Sequence, residues 1–363
     1  MTVTSRPHLV VEQDVFTRVI DVVLNDQCTA DRRAAFADFF AHDVPDFEGW
    51  RQGLRDRCTR VAPSRVTFVE TVEELHRALP DADAVVVESL PIGASELALA
   101  PRLRAVQKFG FITRNIDLQA CEARGVPVLT LRRRANVACA EQALMMMLAL
   151  AKRLPEVNGK TSVALLKDAG FAPAPFDRRH TPSSNWARIP DIAMLQGATL
   201  GIIGFGEIGR EVAVRAQAFG MKIVYTQRTQ LDAETERTWH AEYRDMDTLL
   251  GMSDWLLAQL PATPSTENLL DAAAFKKMKR GVRLINVSRA QVMSREAVLG
   301  ALRDGTLGGM GLDTLWTEPG DDDDELLQYP QVVLTPHLAG SPRLNATGDF
   351  EELISGLDRA LRP

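Results

Sequence analysis

The chain has 363 residues, 45% hydrophobic and 25% charged, with 42 Lys plus Arg against 48 Asp plus Glu. That composition excludes a disordered tail, a collagen and a disulfide-stapled mini-protein, and the length suits two domains at ~150 residues each. A net charge of −6 argues against a general binder of nucleic acid, so any anion must be held by local arginines.

In chain order, His8 to Glu12 reads as a strand, and a charge-rich helical stretch runs from about Asp31 to Arg60. Strands follow at Val66 to Glu70, Ala84 to Glu88, Leu103 to Lys108 and Val126 to Thr130. Between the first two lies a helix, Thr71 to Leu79, with Thr71 and Glu74 spaced as a capping box. Asn136 to Leu154 reads as a long helix with an apolar face. Gly159 to Pro190, interrupted by Pro173, Pro175 and Pro182, reads as an extended connection.

A second array begins near Leu195. Its strands are expected at Thr199 to Ile203, Lys222 to Tyr225, Trp255 to Leu260, Val282 to Val287, Met310 to Leu312 and Val332 to Thr335. Helices are expected at Glu207 to Phe219, Ala272 to Met278, Arg295 to Arg303 and about Asn345 to Leu361, the last returning to the first array. Alternating strands and helices indicate an α/β protein with parallel sheets.

Cys28, Cys58, Cys121 and Cys139 form no CxxC pair and no zinc pattern, and read as reduced thiols in a cytoplasmic protein. There is no signal-like segment, no apolar run of spanning length and no i,i+4 histidine pair, so neither a membrane nor a metal is expected. The acidic run Asp321 to Glu325 lacks the alternation and glycine turn of a calcium loop and reads as solvated.

Gly204-Phe205-Gly206-Glu207-Ile208-Gly209 is GxGxxG placed after a strand and opening a helix. The first glycine allows the tight turn, the second lets backbone approach a pyrophosphate, and the third lets helix and strand pack closely. The helix N-terminus adds free N–H groups and partial positive charge. Dinucleotide folds for NAD place a carboxylate after the second strand; here Gln227-Arg228-Thr229 stands there. A neutral side chain beside a guanidinium suits a 2′-phosphate, so NADP is the expected cofactor, with NAD the alternative.

Three polar segments then follow strand candidates: Asn286-Val287-Ser288-Arg289, Asp313 through Glu318-Pro319, and Thr335-Pro336-His337. Strand C-terminal ends line the ligand crevice of a doubly wound sheet, so Arg289, Glu318 and His337 can converge despite their separation.

With these segments in this order, and with Asn115-Ile116-Asp117-Leu118 and Asn136 to Glu141 before them, the chain from roughly Leu103 onward resembles the NAD(P)-dependent D-isomer-specific 2-hydroxyacid dehydrogenases. The resemblance implies two Rossmann-like domains. Residues 136–337 would form a doubly wound dinucleotide-binding domain, and residues 1–135 with 338–363 a smaller, flavodoxin-like substrate domain. It implies hinges near Ala135 to Asn136 and His337 to Gly340, and a homodimer using the Asn136 helix and the arm after it. Arg289 would bind the substrate carboxylate and carbonyl. His337 would be the acid/base, and Glu318 would hydrogen-bond it and favour its charged form. Pro261, Thr266, Val287 and Ser288 join the glycine loop as cofactor contacts, and Asp313 would accept from the nicotinamide carboxamide.

The chain departs from the family pattern in its substrate loop. Gly110-Phe111-Ile112-Thr113-Arg114 replaces a glycine by Ile112 and an aspartate by Arg114, and Arg132-Arg133-Arg134 forms a basic turn further on. Phe111 and Ile112 would reshape the pocket, and Arg114 or one of Arg132, Arg133 and Arg134 would hold a second anionic group. The expected function is reversible reduction of a 2-oxo acid; the alternative is a nucleotide-sensing binding protein of corepressor type.

Overall fold

The computed structural model of the chain describes residues 6–362. They divide into two compact units, one made of the chain up to Asn136 and again from Gly340, the other of Val137–Ala339.

The first unit holds a parallel sheet of β1 (His8–Glu12), β2 (Arg65–Val69), β3 (Ala84–Val87), β4 (Ala105–Lys108) and β5 (Val128–Leu129), in the order β2-β1-β3-β4-β5. Both faces of its central strands are covered, so they read as unbroken apolar runs. Leu9, Val11 and Val86 pack with Phe350, Leu353, Ile354 and Leu357 of the C-terminal helix Leu344–Ala360. Val10, Val85 and Val87 face the other way, onto Leu75, Leu79, Leu97 and Cys121. Each such side chain stabilises the fold by roughly 1.5–3 kcal/mol.

The stretch from Asp31 to Arg60 is two helices rather than one, Ala30–Phe40 and Phe47–Arg57. Thr29 and Asp46 cap them, accepting from Arg32 N and Gly49 N, and the Phe40 and Phe47 rings stack across the break at 5.1 Å. Arg18–Leu24 is a further helix that a Val- and Ile-rich run does not announce. It is buried nearly throughout, and its Asp21 is satisfied by Arg32 and Asn25. Thr71 does cap its helix, but Glu74 reaches one residue past the cap, to Glu70 N.

The second unit holds β6 (Thr199–Ile203), β7 (Lys222–Thr226), β8 (Ala241–Tyr243), β9 (Trp255–Ala258), β10 (Val282–Asn286), β11 (Leu307–Leu312) and β12 (Val332–Leu334). All pair in parallel, in the order β12-β11-β10-β9-β6-β7-β8. β8 and its flanking helices Ala233–Trp239 and Met246–Met252 are elements too short for periodicity to mark. The connection from Gly159 to Pro190 is irregular except for a turn of helix, Val163–Asp168, capped by Ser162. The four cysteines are free thiols; burial, with Asp21 adding to it, pushes Cys28 up to about 11. Among the described residues no helix is long and apolar enough to cross a membrane, and no group of three or more His, Cys, Asp or Glu could hold a metal ion. Part of the acidic run is paired: Asp324 with Arg295 and Glu325 with Arg303.

Candidate active site

Both sheets reverse strand order once, between β1 and β3 and between β6 and β9, and such reversals open a crevice at the strands' C-terminal ends. In the second unit the glycine loop occupies that position. Gly204 has φ +99°, and a Cβ on it would lie 2.3 Å from the Gln259 carbonyl oxygen, so the turn admits only glycine. A Cβ on Gly206 would meet nothing within 4 Å, leaving open space in front of the helix Glu207–Ala218 that Gly206 caps without a side chain. Glu207 and Ile208 open that helix, and Gly209 lies against the Gly204 carbonyl, where a Cβ would come to 2.6 Å. Phe205 is buried and stacks on Tyr225 at 4.7 Å.

Gln259 Oε1 and Thr314 Oγ1, just past β9 and β11, are buried without a hydrogen-bond partner among the described residues. Buried polar atoms are rarely left so. An open uncapped helix end and two orphaned polar atoms at one sheet edge fit a dinucleotide. Gln227 follows β7 directly, its Nε2 donating to Thr229 O at 2.7 Å, and Arg228 is exposed beside it. Thr266 Oγ1 donates to Pro261 O at 2.6 Å, so those two residues form one turn after β9.

Asn286 shapes the segment that presents Arg289. Its Oδ1 accepts from Ser288 N and Oγ, both at 2.9 Å, and its Nδ2 donates to Arg289 O at 2.9 Å. Ser288 Oγ also reaches Ala258 O, so this hydroxyl ties β10 to β9. Val287 is buried, whereas Arg289 is exposed.

His337 Nδ1 lies 2.8 Å from Glu318 Oε2, and Glu318 Oε1 accepts from Leu315 N at 2.9 Å. The carboxylate therefore receives Nδ1–H and leaves Nε2 for chemistry. Partial burial alone would raise the Glu318 carboxyl. The hydrogen bonds from His337 and Leu315, with the charges of His337 and Arg289, outweigh it and hold the carboxyl below its ordinary value. His337 sits at φ +54°, a conformation that costs a non-glycine residue ~1–3 kcal/mol and persists only where the surroundings impose it.

Asp313 imposes it. This fully buried carboxylate accepts from Leu338 N at 2.9 Å, Ala339 N at 2.8 Å and Thr335 Oγ1 at 2.5 Å, while its own carbonyl accepts from His337 N. Gln142 steadies the group by donating to Thr335 Oγ1 at 3.0 Å. Asp313, expected to face the nicotinamide carboxamide, thus anchors the loop that carries His337. The supports Asn286, Thr335 and Gln142 escaped sequence reasoning; the first two lie inside the motifs that carry Arg289 and His337.

The remaining predicted residues belong to the first unit. Phe111 and Ile112 are half-buried and Arg114 is exposed, in the loop after β4. The basic turn is not a uniform cluster. Arg134 pairs with Asp349 at 2.9 Å and Glu352 at 3.0 Å, so its guanidinium is committed within the fold. Arg133 lies over the Phe109 ring at 4.2 Å and 3.6 Å from Glu88; Arg132 is exposed.

A family model described as the NAD binding domain of D-isomer specific 2-hydroxyacid dehydrogenase matches residues 144–339. Glyoxylate reductase of Thermococcus kodakarensis is 34% identical over 284 residues, 78% of this chain and 81% of that protein. Glycerate dehydrogenase of Methylorubrum extorquens is 32% identical over 272 residues, 74% of this chain and 79% of that one. Among solved structures, holo D-mandelate dehydrogenase of Rhodotorula graminis shares the fold, with a TM-score of 0.57 over 98% of this chain and 94% of that one at 24% identity.

Proposed function

The chain belongs to the D-isomer specific 2-hydroxyacid dehydrogenases, NAD(P)-linked oxidoreductases acting on CH–OH groups, and from that premise we propose that it interconverts a 2-oxo acid and its D-2-hydroxy acid, with NADPH the preferred reductant. The observation that carries this reading is the His337–Glu318 pair held at 2.8 Å beside Arg289. A bound nicotinamide supplies or accepts the hydride. His337 holds the proton at Nε2, gives it to the ketone oxygen in reduction and takes it from the hydroxyl in oxidation. Glu318 stabilises the charged imidazole, and the Arg289 guanidinium binds the substrate carboxylate and balances charge growing on the carbonyl oxygen. Glycine-loop backbone from Gly204 to Gly209 receives the pyrophosphate, and Arg228 the 2′-phosphate.

A homodimer accounts for the exposed apolar side chains Met145, Leu154, Val163, Leu165, Ile192 and Met194, on one long helix and the arm that follows it. A cytoplasmic setting suits four free thiols.

Steady-state rates of the purified protein with glyoxylate and hydroxypyruvate, each with NADPH and NADH, test the reading. Turnover with a higher kcat/KM for NADPH is expected. A clear NADH preference overturns the cofactor choice. Tight nucleotide binding without turnover across a broad 2-oxo acid panel overturns the enzyme in favour of a nucleotide sensor.

A further inference from the structure

The glycine loop, Arg289, Glu318 and His337 all follow the C-terminal ends of the seven strands. At the opposite, N-terminal edge of the same sheet lies a separate cavity of about 350 Å³, walled by Leu150, Leu302, Leu307, Pro155 and Pro330 and entered by Arg283. Arg283 is the second residue of β10, so three residues of strand, about 10 Å, separate it from Asn286 at the catalytic edge.

Arg283 is half-buried, and its guanidinium lies over the Trp255 indole at 5.1 Å. Among the described residues its side chain makes no hydrogen bond or ion pair. A guanidinium carries five donors, and Arg283 offers them to the cavity rather than to another side chain. Burial holds this group below the usual arginine value; Arg153 adds to the effect and Asp191 opposes it.

The other charges in the cavity do not relieve it. Arg153 is engaged, forking onto Glu156 at 2.8 and 2.5 Å and donating to the Pro190 carbonyl at 3.0 Å. Asp191 acts on Arg283 through space without reaching ion-pair distance. The strand geometry is adapted at the same point. The β10–β11 register shifts between Val282 and Arg283, which pair with Leu307 and Gly309 and pass over Gly308. A Cβ on Gly308 would come to 2.5 Å from the Gly281 carbonyl, so only glycine permits this irregularity. Irregularities of this kind commonly re-aim a side chain beside a functional site.

We propose that this cavity is a second ligand site, distinct from the nucleotide and catalytic edge, that binds a small aliphatic carboxylate through Arg283. The carboxylate meets the guanidinium's donors as a fork, the leucine and proline walls take the aliphatic part, and Asp191 disfavours ligands with a second negative charge.

Calorimetric titration with isovalerate tests this, using isovaleramide and inorganic phosphate as controls. Because Arg289 is itself read as a carboxylate ligand, the titrations are run on Arg289→Ala, which isolates the cavity whether or not the catalytic reading holds. Isovalerate is expected to bind that protein at one site and isovaleramide not to bind. Adding Arg283→Gln should weaken binding by about tenfold or more, and Arg283→Lys by less. Adding Asp191→Asn should tighten it about two- to five-fold, an increase that loss of folding cannot mimic. Equal affinity with and without Arg283, no binding to Arg289→Ala, or phosphate binding more tightly than isovalerate would each overturn the proposal.

Discussion

At the reversal between β1 and β3, Glu12 ends β1 and turns its carboxylate into the crevice, where it accepts from Glu88 N, Ser89 N, Leu90 N and Ser89 Oγ at 2.5 to 2.9 Å. Successive backbone N–H groups of this kind are what an incoming phosphate would use. At the reversal between β6 and β9, no carboxylate enters; Gly206 leaves the helix end bare and Gln259 Oε1 lacks a partner. One topology thus produced two crevices, one closed by the chain's own anion and one left ready for a ligand's. Topology locates a candidate site, and a single side chain at the strand end decides whether it is one.

The largest expected effect that sharpens this contrast is at the open crevice. His337→Ala should lower kcat by about 10²–10⁴-fold while the Kd for NADPH changes little, measured by steady-state rates and fluorescence titration. A loss under tenfold would remove His337 from the chemistry. Gly206→Val places atoms in the open space, so NADPH affinity should fall by about tenfold or more, with Tm held within ~2 °C. Unchanged affinity would mean that the gap in front of the helix is not where phosphate lies.

Glu318→Gln should slow reduction by about tenfold in steady-state rates, because the His337 imidazole loses the carboxylate that holds it at 2.8 Å. The same variant reads out in stability. Since the Glu318 carboxyl is held below its ordinary value of 4.5, its contribution to folding is present above that pH and is lost as pH falls through the folded value. Urea unfolding at pH 7 and pH 3 should show a larger wild-type advantage at the first than at the second. The smallest effect belongs to the closed crevice: Glu12→Ala should cost about 1–2 kcal/mol in urea unfolding and leave NADPH affinity unchanged. Acquired nucleotide binding at that edge would show that the carboxylate alone kept it shut.

Much of this was legible in the sequence because the informative residues are local. The glycines between Ile203 and Arg210, and Arg289 and His337 directly after apolar strands, announce themselves by spacing. What escaped depends on partners far along the chain. Arg134 stands beside Arg132 and Arg133 in sequence, yet it pairs with Asp349, 215 residues on. Asp313 stands out in the sequence as a cofactor contact, but its hold on Leu338 N and Ala339 N is visible only once the chain comes round to it. Arg18–Leu24 is a helix buried over all but its first residue, and that tertiary burial overrides the strand preference of valine and isoleucine.

Asp349 does more than neutralise Arg134: both its oxygens accept from the Arg134 backbone N–H, at 2.9 and 3.0 Å, and Oδ1 also accepts from the guanidinium. Arg134 stands two residues before the chain leaves the first unit, and Asp349 stands in the first helix after it returns. One buried carboxylate therefore stitches the outgoing chain to the incoming one. In constructional terms, the nucleotide unit is an insert whose two ends are already fastened at the host's side. Such an insert can be excised, bridged by a few flexible residues or exchanged for another without reopening the host's core.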